Sequence, residues 1–317
     1  MILVISYPGE EHTVDVVQRL QRQGREVMLL DLADFPAKTG IALSWLSEDK
    51  LSYLVDGPNG LIDLRKVRVG WWRRVRPFEV DAAIRSPSRR AFAVSETSQA
   101  VGGMLDALSC EWVNPRGADD TAHHKPYQWA VAREVGLCLP RTLVTNKPEV
   151  ARQFIDEVGV GRTVFKAFLA TYEAWRETRV IERADLTQLE SVRYAPVIFQ
   201  EYIEGIDLRI TVVGDSIFAA EIDARKTSYP FDMRMVVGEA IVRPTKLPTK
   251  VQEAVLNLQH RLGLKYGAID MRRTQTGEYV FFEVNPAGQW LFVEQRTGMP
   301  ISQGVADFLA KLDSRET

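Results

Sequence analysis

The chain opens on an unbroken apolar run, Ile2 to Tyr7, with no polar alternation. Such a run predicts a strand buried on both faces, as in a parallel sheet. Tyr7-Pro8-Gly9 breaks it. Val14, Val17 and Leu20 then recur at helical spacing, and Gly24 stands where a helix C-cap is expected. Val27 to Leu30 is the next apolar strand, with Asp31 at its end. The pattern predicts a βαβ start. No glycine-rich phosphate loop follows the first strand, which speaks against a Rossmann cofactor site there.

Residues 39–72 read as short strands and tight turns, with Asp56-Gly57-Pro58-Asn59-Gly60 as a hairpin signal. Val67 to Trp72 is predicted as a further strand, and Ser88 to Leu108 as a long helix. Trp112-Val113-Asn114-Pro115 marks a strand edge and a boundary, so the first domain is expected over 1–114. A second block, 115–190, carries a helix near Lys125–Val135, a strand after Pro140, a helix starting at Pro148, and a short strand at Val164-Phe165-Lys166. The third block, 191–317, is richer in strands: Val197–Tyr202, Leu208–Val213, Ile217–Ile222, Ala268–Arg272 and Tyr279–Val284. Helices near 250–262 and 301–311 complete it. The expected fold class is α/β (α+β).

Composition narrows the function classes. The 317 residues are 45% hydrophobic and 26% charged, which fits a globular core and excludes a fibrous or disordered chain. Forty Lys+Arg balance 42 Asp+Glu, a formal net charge of -2, and this argues against a dedicated nucleic-acid binder. Two cysteines, Cys110 and Cys138, are too few for a disulfide scaffold or a cysteine-rich zinc site. No apolar run reaches membrane-spanning length, and no targeting segment is evident at the start, so the expectation is a cytoplasmic protein that engages no membrane.

The strongest chemical signal is Gly267-Ala-Ile-Asp270-Met-Arg272 followed by Glu278-Tyr-Val-Phe-Phe-Glu283-Val-Asn285-Pro286. As two strands joined by a turn at Gln275-Thr276-Gly277, they would set Asp270 across from Glu283. Glu283 and Asn285, two apart, would leave the same face. Three oxygen ligands, two of them anionic, suit Mg²⁺ held jointly with phosphates. The alternative is a solvated face with a turn-forming Asn-Pro. Lys125, at a helix start, and Lys166, at the end of an apolar strand, could each meet a phosphate or be a plain surface lysine. Phe199-Gln200-Glu201-Tyr202-Ile203-Glu204-Gly205 could present backbone groups to an adenine edge. Asp207-Leu-Arg209, Arg225 and Asp232-Met-Arg234 add guanidinium groups suited to phosphates and anionic oxygens, or to cross-strand ion pairs. His123 and His124 lack a third ligand at zinc spacing.

In this order the segments over about 115–312 resemble the ATP-grasp ligase superfamily. The resemblance implies an N-terminal βαβ pre-ATP-grasp domain, a central lobe and a C-terminal lobe, with ATP clamped between the two lobes. It implies that Lys125 and Lys166 contact ATP, that Gln200, Glu201, Tyr202 and Ile203 form the adenine hinge, that Glu204 or Asp207 meets the ribose, and that Asp270, Glu283 and Asn285 hold Mg²⁺. Trp71-Trp72-Arg73-Arg74, Asn114-Pro115, Ala195 to Tyr202, Asp207-Leu-Arg209, Asp232-Met-Arg234 and Glu283-Val-Asn285-Pro286-Ala-Gly288-Gln289-Trp290 are similar to the microviridin-type ribosomal peptide maturases, the graspetide synthetases, over nearly the whole chain.

That resemblance implies a ligase that phosphorylates Asp or Glu side chains of a ribosomal precursor peptide, leader plus acidic core. Ser/Thr hydroxyls or Lys amines then close macrocyclic esters or amides. It also implies a homodimer. Arg209 and Arg225 are the expected anion stabilisers, Asp232 is expected to orient the nucleophile, and Arg234 is a further catalytic candidate. Leader docking is expected near Asp185–Arg193, where Asp185 and Glu190 could pair with a basic residue, or on the strand pair around Ile222–Val242. Many ATP-grasp proteins carry a glycine-rich loop after the second lysine; here Ala167 to Thr178 has no glycine. A basic stretch over 65–90 is a solvated face, a lining for an acidic peptide or, against the lack of any base-stacking motif beside it, a nucleic-acid contact. Two rivals stand beside this reading: an ATP-grasp ligase adding an amino acid to a protein or small-molecule carboxylate, and a nucleotide-binding regulator without turnover.

Overall fold

The computed structural model describes residues 1–46, 51–57, 60–168, 178–229, 236 and 238–314. The chain falls into two compact units, Met1–Gly117 with Pro300–Thr317, and Ala118–Met299. It is a mixed α/β protein.

The first unit is built on a four-stranded parallel sheet in the order β2-β1-β6-β7, formed by β1 (Ile2–Ile5), β2 (Val27–Leu30), β6 (Val69–Trp72) and β7 (Glu111–Val113). Every residue of β1 is buried, as a central parallel strand covered on both faces must be. Helix α1 (Glu11–Arg22) starts at Glu10, whose side chain accepts from the Thr13 N–H, and Gly24 follows it at φ +72°. A three-stranded antiparallel meander, β3 (Ile41–Trp45), β4 (Leu51–Gly57) and β5 (Gly60–Asp63), joins the same core through Tyr53 and Val55. Helix α2 (Pro87–Asp106) packs through Val101, Met104 and Leu105.

The closing helix α8 (Ile301–Asp313) lies on α1 and β6, so it belongs to this unit and not to the C-terminal lobe with which it was grouped from sequence. Its last residue shows why. Asp313 is buried and gathers the N-terminal ammonium at 3.3 Å, Arg68 at 3.0 Å and Arg25 at 3.5 Å. The basic stretch at 65–90 is tied down in the same manner. Arg65 pairs with Asp63, Arg73 is buried beside Glu10 at 3.6 Å, and Arg76 grips Asp31. Much of its charge is therefore neutralised within the unit.

Helix α3 (Arg116–Ala122) carries the chain into the second unit, which holds two antiparallel sheets. The smaller runs β10-β9-β11-β8, from β8 (Thr142–Thr145), β9 (Thr163–Lys166), β10 (Arg179–Val180) and β11 (Val197–Glu201). Helix α5 (Pro148–Val158) and 3₁₀ turns over Arg183–Tyr194 cover it through Ala151, Ile155, Leu189 and Val192. β11 pairs with both β8 and β9, so residues 197–201 complete this sheet, past the boundary expected at 190.

The larger sheet runs β14-β13-β12-β15-β16, from β12 (Gly205–Val213), β13 (Ser216–Asp223), β14 (Ile241–Pro244), β15 (Tyr266–Thr274) and β16 (Tyr279–Asn285). Helices α4 (Lys125–Glu134) and α6 (Thr249–Arg261) share its core: Val131, Val255 and Leu258 meet Ile210, Ile269, Met271, Phe281 and Val284. Helix α7 (Leu291–Thr297) follows β16. The edge strand β16 is not left open. Gln128 gives its amide N–H to Val284 O at 2.9 Å and accepts the Val284 N–H at 2.9 Å, as a neighbouring strand would. Trp129 donates to Phe282 O, and Phe281 N–H donates to Cys138 O. Pairing the edge in this way fixes β16 and removes a site for unwanted strand addition. Among the described residues, no helix is long and apolar enough to cross a membrane.

Candidate functional site

One face of β12, β15 and β16 packs on α4 and α6, so the alternate residues line the opposite face. On that face β12 carries Asp207 and Arg209, and β15 carries Asp270 and Arg272. The register puts Asp207 opposite Arg272 and Arg209 opposite Asp270. Both cross-strand pairs close. Arg209 Nη1 donates to Asp270 Oδ1 at 2.7 Å, and Arg272 grips Asp207 through Nε at 2.8 Å and Nη2 at 2.7 Å.

On the other side of β15, Asp270 faces Glu283, as the turn at residues 275–277 predicts. Gly277 makes that turn at φ +88°, with Thr274 and Glu278 closing it. A bulge then shifts the register: Asp270 pairs with Glu283, but Met271 pairs with Phe281, so Phe282 is the extra residue. Phe281 and Val284 both enter the core. Strict alternation allows only one residue between two of the same face, and the bulge allows two. Phe282 and Glu283 are therefore both turned to the site face.

Phe282 uses that position. Its ring lies 4.8 Å from Lys166 Nζ and 5.6 Å from the Arg272 guanidinium, which lies 5.4 Å from the Tyr202 ring on another side. Lys166, Phe282, Arg272 and Tyr202 thus alternate cation and aromatic ring, linking the smaller sheet to the larger. Lys166 Nζ also donates to Gln200 Oε1 at 2.8 Å, and Gln200 Nε2 donates to Thr142 Oγ1 at 2.9 Å. Burial pushes the Tyr202 phenol up, against the Arg272 charge, so it stays neutral.

Lys125, the first residue of α4, reaches across to pair with Glu283. Asn285 is exposed at the end of β16. Its carbonyl accepts from Gly288 N–H, Gly288 O accepts from the buried Tyr266 hydroxyl at 2.7 Å, and Gln289 O accepts from Arg209 Nη2 at 3.2 Å. Trp290 closes the segment, fully buried against the Tyr266 ring. Arg209 is only 9% exposed, and its Nε has no partner among the described residues.

The sequence-predicted residues fall into three groups. Lys125, Lys166, Gln200, Arg209, Asp270 and Glu283 are joined by these contacts, and Asn285 lies on the same strand face as Glu283. Asp207 faces the site, but its carboxylate is buried against Arg272 rather than presented to a ribose. Glu201, partly buried, pairs with Arg162, and Glu204 is exposed. Arg225 is turned onto its own strand end, bound through Nε and Nη2 to Asp223 at 2.8 and 2.7 Å, and holds that carboxyl at about 2. The anion-stabilising role expected of it has no support from that geometry. Asp232 and Arg234 lie outside the described residues, as does most of the glycine-free segment after Lys166.

Sequence reasoning did not single out Arg272, Phe282 or Gln128. A signal existed for Arg272: Asp-x-Arg on β12 and Asp-x-Arg on β15 run antiparallel, so each Asp meets an Arg. Among the described residues no three His, Cys, Asp or Glu side chains cluster at metal-ligand range. Two carboxylates and an amide oxygen are what the face offers. Asp185 and Glu190, expected to meet a basic leader residue, pair with Arg179 and Arg193.

Residues 1–120 match the MvdD pre-ATP grasp domain and residues 122–309 match the RimK-like ATP-grasp domain. The macrocyclase MdnC from Microcystis aeruginosa MRC, solved with its precursor peptide MdnA, is 30% identical. The match covers 98% of this chain and 99% of that one, at TM-score 0.86. A RiPP-associated ATP-grasp ligase of Chryseobacterium gregarium, solved with ADP and a leader and core peptide, is 26% identical over 98% and 96% of the two chains, at TM-score 0.88. A probable alpha-L-glutamate ligase of Shewanella amazonensis is 26% identical over 56% of this chain, and the aligned stretch spans 60% of that relative's length. The chain belongs to the RimK-like ATP-grasp family, and carries ahead of that domain the pre-ATP grasp domain of the MvdD type.

Proposed function

We propose that this protein is an ATP-dependent carboxylate ligase that cyclises a ribosomal precursor peptide. The carrying observation is the face made by Arg209, Asp270 and Glu283, with Asn285 beside them and Lys125 and Lys166 reaching in from other elements. The likeness to two enzymes solved with precursor peptides, over nearly the whole length of each chain, supports the substrate class.

A free carboxylate resists acyl transfer because its oxygen is a poor leaving group. A side-chain carboxylate oxygen of the peptide attacks the γ-phosphorus of ATP, the bond to the bridging oxygen breaks, and ADP leaves. A hydroxyl or amine of the same peptide then attacks the acyl carbon, loses its proton, and expels phosphate. The protein contributes placement and charge. Lys166 and Lys125 supply cations for the phosphates. Arg209, fixed at two points and carrying an orphaned buried N–H, is suited to the anionic oxygens of the acyl phosphate. The hinge residues Gln200–Ile203 take the base. Asp270, Glu283 and Asn285 are hard oxygen donors and fit Mg²⁺, which when bound neutralises the phosphate oxygens.

The alternative acceptor is a free amino acid, as the name of the Shewanella relative suggests for that protein. Incubation of the full chain with precursor peptide, ATP and Mg²⁺ separates the two by mass. Cyclisation removes one water per link, whereas amino-acid addition gains a residue mass. ADP formation with an unchanged peptide mass would overturn the cyclisation reading.

A further inference from the structure

Arg272 is the best-held arginine of the site, yet nothing in the chemistry above requires it. It is 5% exposed. Its Nε and Nη2 are taken by Asp207, and the Tyr202 and Phe282 rings lie 5.4 and 5.6 Å from it, so it is not a free cation for phosphate. Its remaining nitrogen, Nη1, donates to Ile203 O at 2.8 Å.

That last contact falls on the segment joining the two sheets. β11 ends at Glu201 and β12 begins at Gly205. The Glu201 N–H donates to Arg141 O at 2.8 Å, and the Tyr202 N–H donates to Arg162 O at 2.7 Å. The Ile203 N–H donates to no group among the described residues. At Ile203, then, the donor is available and the acceptor already takes one charged N–H. Gly205 lets the chain pass this close: a Cβ there would collide with Arg273 O and lie 3.0 Å from Arg272 Cγ.

We propose that Arg272 is a positioning residue that sets the purine preference of the nucleotide site by occupying the Ile203 carbonyl of the hinge. The proposal rests on the reading of residues 200–203 as the base-binding hinge. Adenine presents an acceptor at N1, whereas guanine presents an N–H there and a 2-amino donor beside it. An open Ile203 N–H pairs with adenine N1 but meets the N1–H of guanine, and a carbonyl already bonded to a guanidinium is a poorer acceptor for the guanine donors. Unpaired buried donors are the strongest basis of small-molecule discrimination. Removing the guanidinium frees the Ile203 carbonyl to accept from guanine. A lysine cannot replace it, because one ammonium cannot hold Asp207 Oδ1 as two guanidinium nitrogens do and reach Ile203 as well.

The test measures dissociation constants of Mg·ATP and Mg·GTP for the full chain and for Arg272→Met, Arg272→Lys and the double variant Asp207→Asn/Arg272→Met. The double variant leaves no buried carboxylate unpaired, and thermal melting identifies which variants are folded. The expected result is a fall of about tenfold or more in the ATP-over-GTP affinity ratio in each folded variant. Equal weakening of both nucleotides, or an unchanged ratio, overturns the proposal. Wild-type protein that binds neither nucleotide overturns the ATP reading instead, a separate result. If no Met variant folds, Arg272→Lys carries the same two outcomes.

Discussion

Arg209 stands opposite Asp270 on the neighbouring strand and donates to its Oδ1 at 2.7 Å, while the next pair along the ladder, Asp207 and Arg272, carries its charges in the reverse order. Each charge therefore has an opposite charge across the ladder, and like charges are separated along each strand. The Asp270 carboxylate is thus held in place by its ion pair and is not left loose on a solvated face.

The pair makes its own prediction. Arg209→Met strips Asp270 of its partner and releases Gln289 O. ADP formation with the peptide should fall by about 100-fold or more, the scale of losing one preorganised donor to a developing anion. Asp270→Asn should also lose turnover, on the proposal that Asp270 holds Mg²⁺. If the pair serves only the fold, the double variant Arg209→Met/Asp270→Asn will recover both stability and ADP formation. Recovery of stability alone, read by denaturant unfolding with a coupled ADP assay, is the expected outcome.

The bulge on β16 can be tested by removing its extra residue. Deleting Phe282 restores strict alternation with every neighbour on its present face: Phe281 and Val284 stay in the core and Glu283 stays opposite Asp270. The deletion variant should therefore fold. Phe282→Leu keeps the bulge and removes the ring beneath Lys166 and Arg272. It should cost about 1 kcal/mol and leave the fold intact. Chemical denaturation should show the two variants within about 1–2 kcal/mol of each other. A deletion far less stable than Phe282→Leu would mean that the backbone of β16 requires the bulge itself.

Gly288 offers a packing test with a built-in rescue. A Cβ there would collide with Cβ of Ala268 and lie 3.2 Å from Asn285 O. Gly288→Ala should therefore lose about 1–3 kcal/mol and displace the Gln289 carbonyl from Arg209. Ala268→Gly removes the atom it strikes. The double variant should regain most of the stability and the ADP-forming activity. Failure of the double variant to recover would show that the glycine is required for backbone reasons instead.

The parts of this molecule that could be read from sequence are those that depend on local pattern. The apolar run of β1, the turn at residues 275–277, and the pairing of Asp270 with Glu283 all follow from alternation and turn chemistry. What local pattern does not carry is register across distant strands and the choice of ion-pair partner. Arg225 and Arg209 look alike in sequence. One faces a carboxylate across a buried ladder, and the other bonds a carboxylate two residues away at an exposed strand end. Arg272 was hidden for the same reason, since its partners lie more than sixty residues earlier. The destination of α8 depends on Asp313 meeting charges at the far end of the chain.

Acid should unfold the first unit through Glu10 and His12. Both are buried, 2.9 Å apart, at the start of α1, with Arg73 beside them. Burial alone would raise the Glu10 carboxyl. The bond to His12, the Arg73 charge and the bonds to Thr13 outweigh it and hold the group at about 2, against an ordinary 4.5. Burial lowers His12 below its ordinary 6.5, the bond to Glu10 opposing and Arg73 assisting. Both groups bind protons more readily in the unfolded chain. Their contribution to stability is therefore complete above the ordinary values and declines as pH falls, from 6.5 downward for His12 and from 4.5 toward 2 for Glu10. The Glu10 contribution is of order 3 kcal/mol. Calorimetric unfolding between pH 7 and pH 3 should show the first unit losing stability in two stages. Glu10→Gln should abolish the lower stage and, by removing the partner that favours the imidazolium, lower His12 further and steepen the loss below pH 6.5. A Glu10→Gln profile parallel to that of the wild type below pH 4.5 would show that acid acts on this unit elsewhere.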